Sequence, residues 1–336
     1  MSPAGPREDD RLLIALLSLA VLALMAASMA FGRASLPVGQ AIADTIAGNG
    51  SLESLVLMEL RLPRALLGTL IGASLGLSGA AMQGMMRNPL VEPGVIGVSA
   101  CAALGSVLAF YSGASAAFDV ALPLGGAAGA LAAVLLLFAL AGRRSSTVTL
   151  ILAGVAISGF AGALTSLALS LAPNPFAVYE IMFWLMGSLA DRSQAHVLLA
   201  LAPTLIGWVL LLGTRSAIDA LTLGEDTAES LGVDLARARL RLILGTALCV
   251  GAAVSVAGAI GFVGLVVPHL LRPLVGREPG RLLLPSALGG AALLLASDVF
   301  VRLPMNGPEL RLGVITALLG APFFVWLVLR ERADGA

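Results

Sequence analysis

The chain has 336 residues, of which 58% are hydrophobic and 12% charged, with 20 basic residues balanced by 20 acidic ones and a mean hydropathy of +0.98. A soluble domain carries roughly 25% charged residues, so the polar side chains here are too few to cover a globule, and most of the surface must face lipid. All 20 basic residues are arginine; without a lysine for the β- and γ-phosphates the chain cannot hold a P-loop nucleotide site.

Charges fall in short clusters between apolar runs of about the 20 residues that a spanning helix needs. In lipid only helices or a closed barrel satisfy the backbone, and these runs lack the period-2 alternation of barrel strands. An all-α integral membrane bundle is expected, one transmembrane domain over 1–336. The first run, roughly 12–30, follows Arg7 and Arg11. Ser28-Met29-Ala30 is a passable cleavage site, but the run exceeds the usual signal core and further spans follow, so it reads as an uncleaved helix. An external segment covers 32–60. Nine more spans are expected at roughly 65–85, 94–112, 120–141, 148–171, 195–213, 241–259, 260–275, 282–301 and 310–329, ten in all. Cys101 and Cys249 lie inside apolar runs and read as small buried residues rather than a disulfide.

An even count puts both termini on one side. With the termini in the cytoplasm, Arg7, Arg11, Arg87, Arg143, Arg144, Arg215, Arg237, Arg239, Arg241, Arg272, Arg277, Arg281, Arg330 and Arg332 are inside, and Arg33, Arg61, Arg64, Arg192, Arg302 and Arg311 are outside. That distribution obeys the positive-inside rule. In the second span Gly68, Gly72 and Gly76 form a stripe of small residues suited to close helix packing. Pro173-Asn174-Pro175 opens a segment reaching Ser193, read as a short interfacial helix with Phe176, Tyr179, Phe183 and Trp184 at headgroup level. Gly72-Ala73 and Gly79-Ala80 recur 179 positions later as Gly251-Ala252 and Gly258-Ala259, and Pro89 recurs as Pro268. The spans concerned run in opposite senses, so an inverted repeat of helices 2–5 and 7–10 is expected.

The span centres carry essentially no ionisable residue, which argues against an ion-coupled secondary transporter, the rival reading, and against catalysis in the membrane. His196 and His269 lie in separate segments, and no metal ligand set is expected. Two features remain open on the residues alone. Arg61-Leu62-Pro63-Arg64 and Arg302 stand on the outer side, where cations are disfavoured. They are either snorkelling residues, with an Asp298–Arg302 pair at helical spacing, or a patch that receives carboxylates. The largest cytoplasmic connection, 214–240, contains Gly224-Glu225-Asp226-Thr227-Ala228-Glu229-Ser230-Leu231-Gly232. Glu225 and Asp226 suit the start of a short helix, Ala228 and Leu231 share a face, and Gly232 is placed to cap its end. It is either a helix that docks into a soluble partner or an ordinary solvated loop.

RLPR at 61–64, SGAAMQGMMRNPLVEPGVIGVS at 78–99, GFVGLVVPHLLR at 261–272 and ELRLGVITALLGAPFF at 309–324 resemble the FecCD-type permease family. Its members are membrane subunits of type II ABC importers for ferric siderophores, haem and cobalamin, and the likeness runs from about Arg61 to Arg330. The resemblance implies ten helices per subunit in the bacterial inner membrane and a second permease subunit, with a homodimer expected. It also implies two ABC ATPase subunits that bind ATP and Mg, a periplasmic substrate-binding protein, and no cofactor, catalysis or nucleic-acid partner for this chain. Residue by residue, it assigns docking of the binding protein to Arg61, Arg64 and Arg302. ATPase coupling falls to Gly224, Glu225, Asp226, Ala228, Ser230, Leu231 and Gly232, and the cytoplasmic gate to Ser146 and Thr147. Val148 follows Thr147 where the family can place another small polar residue. His269 belongs to the shared VVPHLLR stretch and is not assigned to haem. A ferric siderophore is the default substrate, with haem and cobalamin beside it, moved by alternating access.

Overall fold

The computed structural model describes residues 8–32, 36–114, 120–142, 147–172, 175–276, 278–303 and 309–334, which are helical and contain no strand. The long elements are α1 (Glu8–Ala30), α3 (Leu52–Met86), α5 (Ala121–Ala141), α6 (Thr147–Ser170), α8 (Gln194–Leu212), α11 (Leu235–Ala257), α13 (Leu283–Val301) and α14 (Leu312–Asp334). Between them lie α2 (Val38–Ala47), α4 (Val98–Tyr111), α7 (Pro175–Leu185), α9 (Arg215–Leu221), α10 (Glu225–Ser230) and α12 (Val263–Val275).

Among the described residues seven helices meet the length and apolarity needed to cross a membrane, with three shorter apolar helices at Val98–Tyr111, Val263–Val275 and Leu312–Leu327. Helix length alone therefore does not give the ten spans expected. A 14-residue helix rises only about 21 Å against a hydrocarbon core of about 30 Å. The backbone beside α4 and α12 is irregular and finds its partners inside the protein, as it must. Buried Gln83 is one such partner: its Nε2 donates to the carbonyls of Val91 (3.4 Å), Gly264 (3.3 Å) and Leu265 (3.4 Å), while its Oε1 accepts from Arg272 Nη2 at 2.8 Å.

Two boundaries differ from the sequence reading for identifiable reasons. The second long helix begins at Leu52, well before 65, because the chain passes from α-helix through a π turn at Val56–Arg61 and back without breaking. The wide turn lies just before Pro63, which has no N–H to give and crowds the carbonyl four residues back. The connection 214–240 is largely helical. Asp234 caps α11 by accepting the Arg237 N–H at 2.9 Å, and Arg237, Arg239 and Arg241 hide a first turn and a half of α11 from a reading based on apolar runs.

The core sits around α3 and α11, which are buried along most of their length, whereas α1, α5 and α6 turn most side chains outward. Small residues set the packing. A Cβ at Gly72 would lie 2.4 Å from the Gly290 carbonyl oxygen, and one at Gly76 2.0 Å from that of Ser286, so α3 and α13 touch backbone to backbone. At the positions 179 residues further on, Gly251 meets the Ala130 methyl and Ser255 meets Gly126, so α11 also packs closely on α5 at small residues. The neighbours correspond as well: α4 packs on α5 and α6, as α12 packs on α13 and α14. The aromatic segment forms α7, with Phe176, Tyr179 and Phe183 exposed and Arg311 4.9 Å above the Phe183 ring.

Candidate functional site

At one end of the bundle Arg61, Arg64 and Arg302, the three arginines expected on the outer side, converge. Arg61 Nη1 donates to the carbonyls of Met29 (2.7 Å) and Ala30 (2.8 Å), the last turn of α1. Arg302 Nη1 donates to the Ser28 and Phe31 carbonyls at 2.9 Å each, its Nη2 to Ser28 Oγ at 2.7 Å, and its Nε to the Asp298 carbonyl at 3.1 Å. A helix C-terminus leaves carbonyls without intrahelical partners and carries partial negative charge, so two guanidinium groups answer both needs of α1. The Asp298 carboxylate joins the cluster: Oδ2 lies 2.8 Å from Arg302 Nη2, and Oδ1 lies 2.8 Å from Arg64 Nη2 and 2.9 Å from Arg64 Nε. Arg64 Nη2 also pairs with Glu309 Oε1.

The pair suspected at four-residue spacing thus exists, and Arg64 shares its carboxylate. Arg61 and Arg302 are 6% and 5% exposed and Asp298 is fully buried, while the Arg64 side chain retains 13%. Three cations against two carboxylates leave the cluster one positive charge. Burial pulls the Arg302 pKa down, and the Asp298 charge opposes the shift.

At the opposite end α9 and α10 protrude between α8 and α11. Gly224, at φ +101°, starts α10, and Gly232, at φ +83°, ends it. The Gly232 N–H bonds the Glu229 carbonyl at 2.9 Å and the Val233 N–H bonds that of Ala228 at 3.1 Å. This is the paired 5→2 and 6→1 closure of a Schellman cap, so the expected cap is present. Glu225 pairs with Arg239 at 2.7 Å, and Ser230 Oγ donates to the Asp226 carbonyl at 2.8 Å. The shared face expected of Ala228 and Leu231 is split: Ala228 is fully buried against the bundle, whereas Leu231 and Leu223 are exposed. Three residues on a helix turn 300°, so the two side chains point about 60° apart, and only Ala228 faces the bundle.

Asp219 of α9 accepts the Gly280 N–H at 2.8 Å, tying this protrusion to the 3-10 turn Pro279–Leu282 that leads into α13. Next to it Arg281 pairs with Asp10 near the start of α1. A cavity of about 450 Å³ opens beside the joint, with Gln83, Arg87, Thr222, Arg272 and Glu278 on its walls. Of the two gate residues expected from the sequence, Ser146 lies outside the described residues, and Thr147 is the first residue of α6 with its side chain undescribed. Asp298, Glu309 and Asp219 were not singled out as site residues. For Asp298 the signal was the carboxylate four residues before Arg302; Glu309 and Asp219 depend on contacts across 245 and 61 positions of chain.

A family model for the FecCD transport family matches residues 19–330. The vitamin B12 import system permease protein BtuC of Vibrio cholerae serotype O1 is 44% identical over 298 residues, 88% of this chain and 89% of that protein. Its namesakes in Salmonella paratyphi A and Salmonella typhi are 42% identical over 322 residues, 94% of this chain and 95% of theirs. A solved structure described as a metal-chelate type ABC transporter in an inward-facing conformation superposes with a TM-score of 0.82 at 33% identity, covering 94% of this chain and 98% of that one.

Proposed function

We propose that this chain, which belongs to the FecCD transport family and is a multi-pass membrane permease subunit of an ABC importer, carries a corrinoid of the cobalamin type delivered by a binding protein. The observation that carries this reading is identity of 42–44% to vitamin B12 permeases across nearly the whole chain. It moves cobalamin ahead of the ferric siderophore taken as the default substrate. The finer architecture we propose is ten spans per subunit in the inner membrane, with both termini cytoplasmic and the three short apolar helices completed by irregular backbone. The second to fifth spans (α3–α6) and the seventh to tenth (α11–α14) form an inverted repeat, which the matched contacts of Gly72 and Gly251 and of Gly76 and Ser255 support.

Two copies of the subunit enclose the pathway between them, lined partly by α6 with Ser146 and Thr147 at its cytoplasmic start. The outer cluster of Arg61, Arg64 and Arg302 receives carboxylates of a periplasmic binding protein, with Arg64 the most accessible of the three. The protrusion from Gly224 to Gly232 seats in a groove of the ATPase subunit, with exposed Leu223 and Leu231 as its apolar contacts. ATP and Mg bind that partner, and the strokes of the ATPase reach the bundle through α9, α10 and the Asp219–Gly280 joint.

Co-purification from native membranes followed by proteoliposome uptake tests this reading. We expect an ATPase chain and a binding protein to accompany the permease, and ATP-dependent uptake of labelled cyanocobalamin but not of ferric hydroxamate or haem. Uptake of a ferric siderophore with no cobalamin uptake overturns the substrate assignment.

A further inference from the structure

Two of the three short apolar helices, α4 and α12, begin in the same unusual way. Gly97, at φ +83°, precedes α4, and Phe262, at φ +67°, precedes α12. Glycine enters the left-handed region without strain, whereas a bulky residue is an outlier there and persists only where its surroundings over-determine it. Phe262 is held in two places. Its backbone N–H donates to Oε1 of Glu92, a largely buried carboxylate on the irregular segment leading to α4. Its side chain sits in a notch on α14: a Cβ added at Gly320 would lie 2.2 Å from both Cβ and Cγ of Phe262.

The first half contains the counterpart without the wedge. There α6 lies on Gly97 and its neighbours, and a Cβ at Gly154 would come within 2.2 Å of the Val95 carbonyl oxygen. Thus α6 rests on the segment that carries Glu92, α14 rests on the segment that carries Phe262, and one hydrogen bond links the two supports. Beside that bond a void of about 200 Å³, walled by Leu75, Glu92, Pro93, Ser99 and Gly261 among others, leaves room for the supports to shift.

We propose that Glu92 and Phe262 are positioning residues for transport: Phe262 is the seat on which α14 turns, and Glu92 holds that seat to the support of α6, so that the two helices move together. The inference rests on the importer reading above, in which α6 lines the pathway. Glu92 acts as an acceptor for one N–H and not as a charge. Glutamine, whose amide oxygen also accepts, should therefore replace it, and alanine should not. Glycine at 262 should relax the backbone and empty the notch while leaving the fold intact.

The test uses the full complex of permease, ATPase and binding protein in proteoliposomes, with labelled cyanocobalamin as cargo and the ratio of cargo moved to ATP hydrolysed as the readout. A merely destabilised complex loses both activities together and keeps the ratio. We expect Glu92→Ala and Phe262→Gly each to lower the ratio at least fivefold, the double variant to be no worse than either single one, and Glu92→Gln to stay within twofold of wild type. A ratio within twofold of wild type for Phe262→Gly overturns the proposal, as does a Glu92→Gln variant as impaired as Glu92→Ala. ATP-driven uptake by the wild-type complex is the separate check on the importer reading.

Discussion

Replacing Asp298 with alanine removes the carboxylate that Arg64 and Arg302 share. Breaking a buried ion pair from one side costs about 3–5 kcal/mol, because the remaining charge keeps its desolvation penalty. Here the lower end applies. Arg302 still donates to the Ser28 and Phe31 carbonyls, and Arg64 still reaches Glu309. For a chain of this length about 1 kcal/mol shifts a midpoint by about 2 °C, so Asp298→Ala should lower the thermal midpoint by roughly 6 °C. The assay is intrinsic fluorescence of the detergent-solubilised protein at a fixed scan rate, since unfolding of such proteins is commonly irreversible. Asp298→Asn keeps a hydrogen-bond acceptor and should lose less. In the Asp298→Ala background, Arg302→Met should cost less than it does in wild type, because the charge it removes is already uncompensated. A shift below about 2 °C for Asp298→Ala, or strict additivity in the double variant, would show that the cluster does not hold the outer end together.

Glu309→Gln raises the net charge of the cluster from +1 to +2 and frees Arg64 from one of its two carboxylates, leaving it on Asp298. As a partly exposed pair is worth about 0.2–1 kcal/mol, an acidic binding protein should dock up to about fivefold more tightly and with a steeper salt dependence in surface plasmon resonance; weaker docking would contradict the cationic patch. Gly76→Ala drives a methyl into the Ser286 carbonyl and should cost about 1–3 kcal/mol, a fall of roughly 2–6 °C in midpoint. Gly159→Ala on α6, with nothing within 4 Å of the added carbon, should be neutral or slightly stabilising; equal effects would remove the case for backbone contact between α3 and α13. Asp219→Ala deletes the bond to Gly280 and should leave the ATPase co-purifying while transport per ATP hydrolysed falls at least threefold; an unchanged ratio would separate α9 from the drive train.

What the sequence could reveal follows from which interactions are local. Ordinary spans such as α5 and α13 are legible because each is a continuous apolar run, and Gly232 is legible because a helix end needs a left-handed residue a fixed distance after its start. Helix starts marked by charge or by proline are hidden: α11 begins among three arginines, and the π turn before Pro63 lets α3 run on where a proline ordinarily argues for a boundary. Half of the outer cluster could be read. Asp298 and Arg302 are one turn apart, but Arg64 meets Asp298 across 234 positions of chain, and no local pattern encodes that. The seat at Phe262 was illegible for another reason. A left-handed phenylalanine breaks the local preference, and only the tertiary partners Glu92 and Gly320 make it tenable.

With both termini placed in the cytoplasm, as proposed, six arginines stand on the outer side against the positive-inside trend, and the cluster supplies a physical reason for three of them. Arg61 and Arg302 terminate the carbonyl end of α1, and Arg302 and Arg64 enclose the buried Asp298, so their charges are used where they lie. A docking role does not compete with this on equal terms. An incoming carboxylate that pulled Arg61 or Arg302 outward would uncap α1 and strand Asp298, whereas one that approached Arg64 would need only to displace the partly exposed Glu309. Docking and stability can therefore be separated within a single patch: substitutions at Glu309 should act on partner affinity, those at Arg61, Arg302 and Asp298 on the integrity of this end of the bundle, and those at Arg64, which holds both carboxylates, on both.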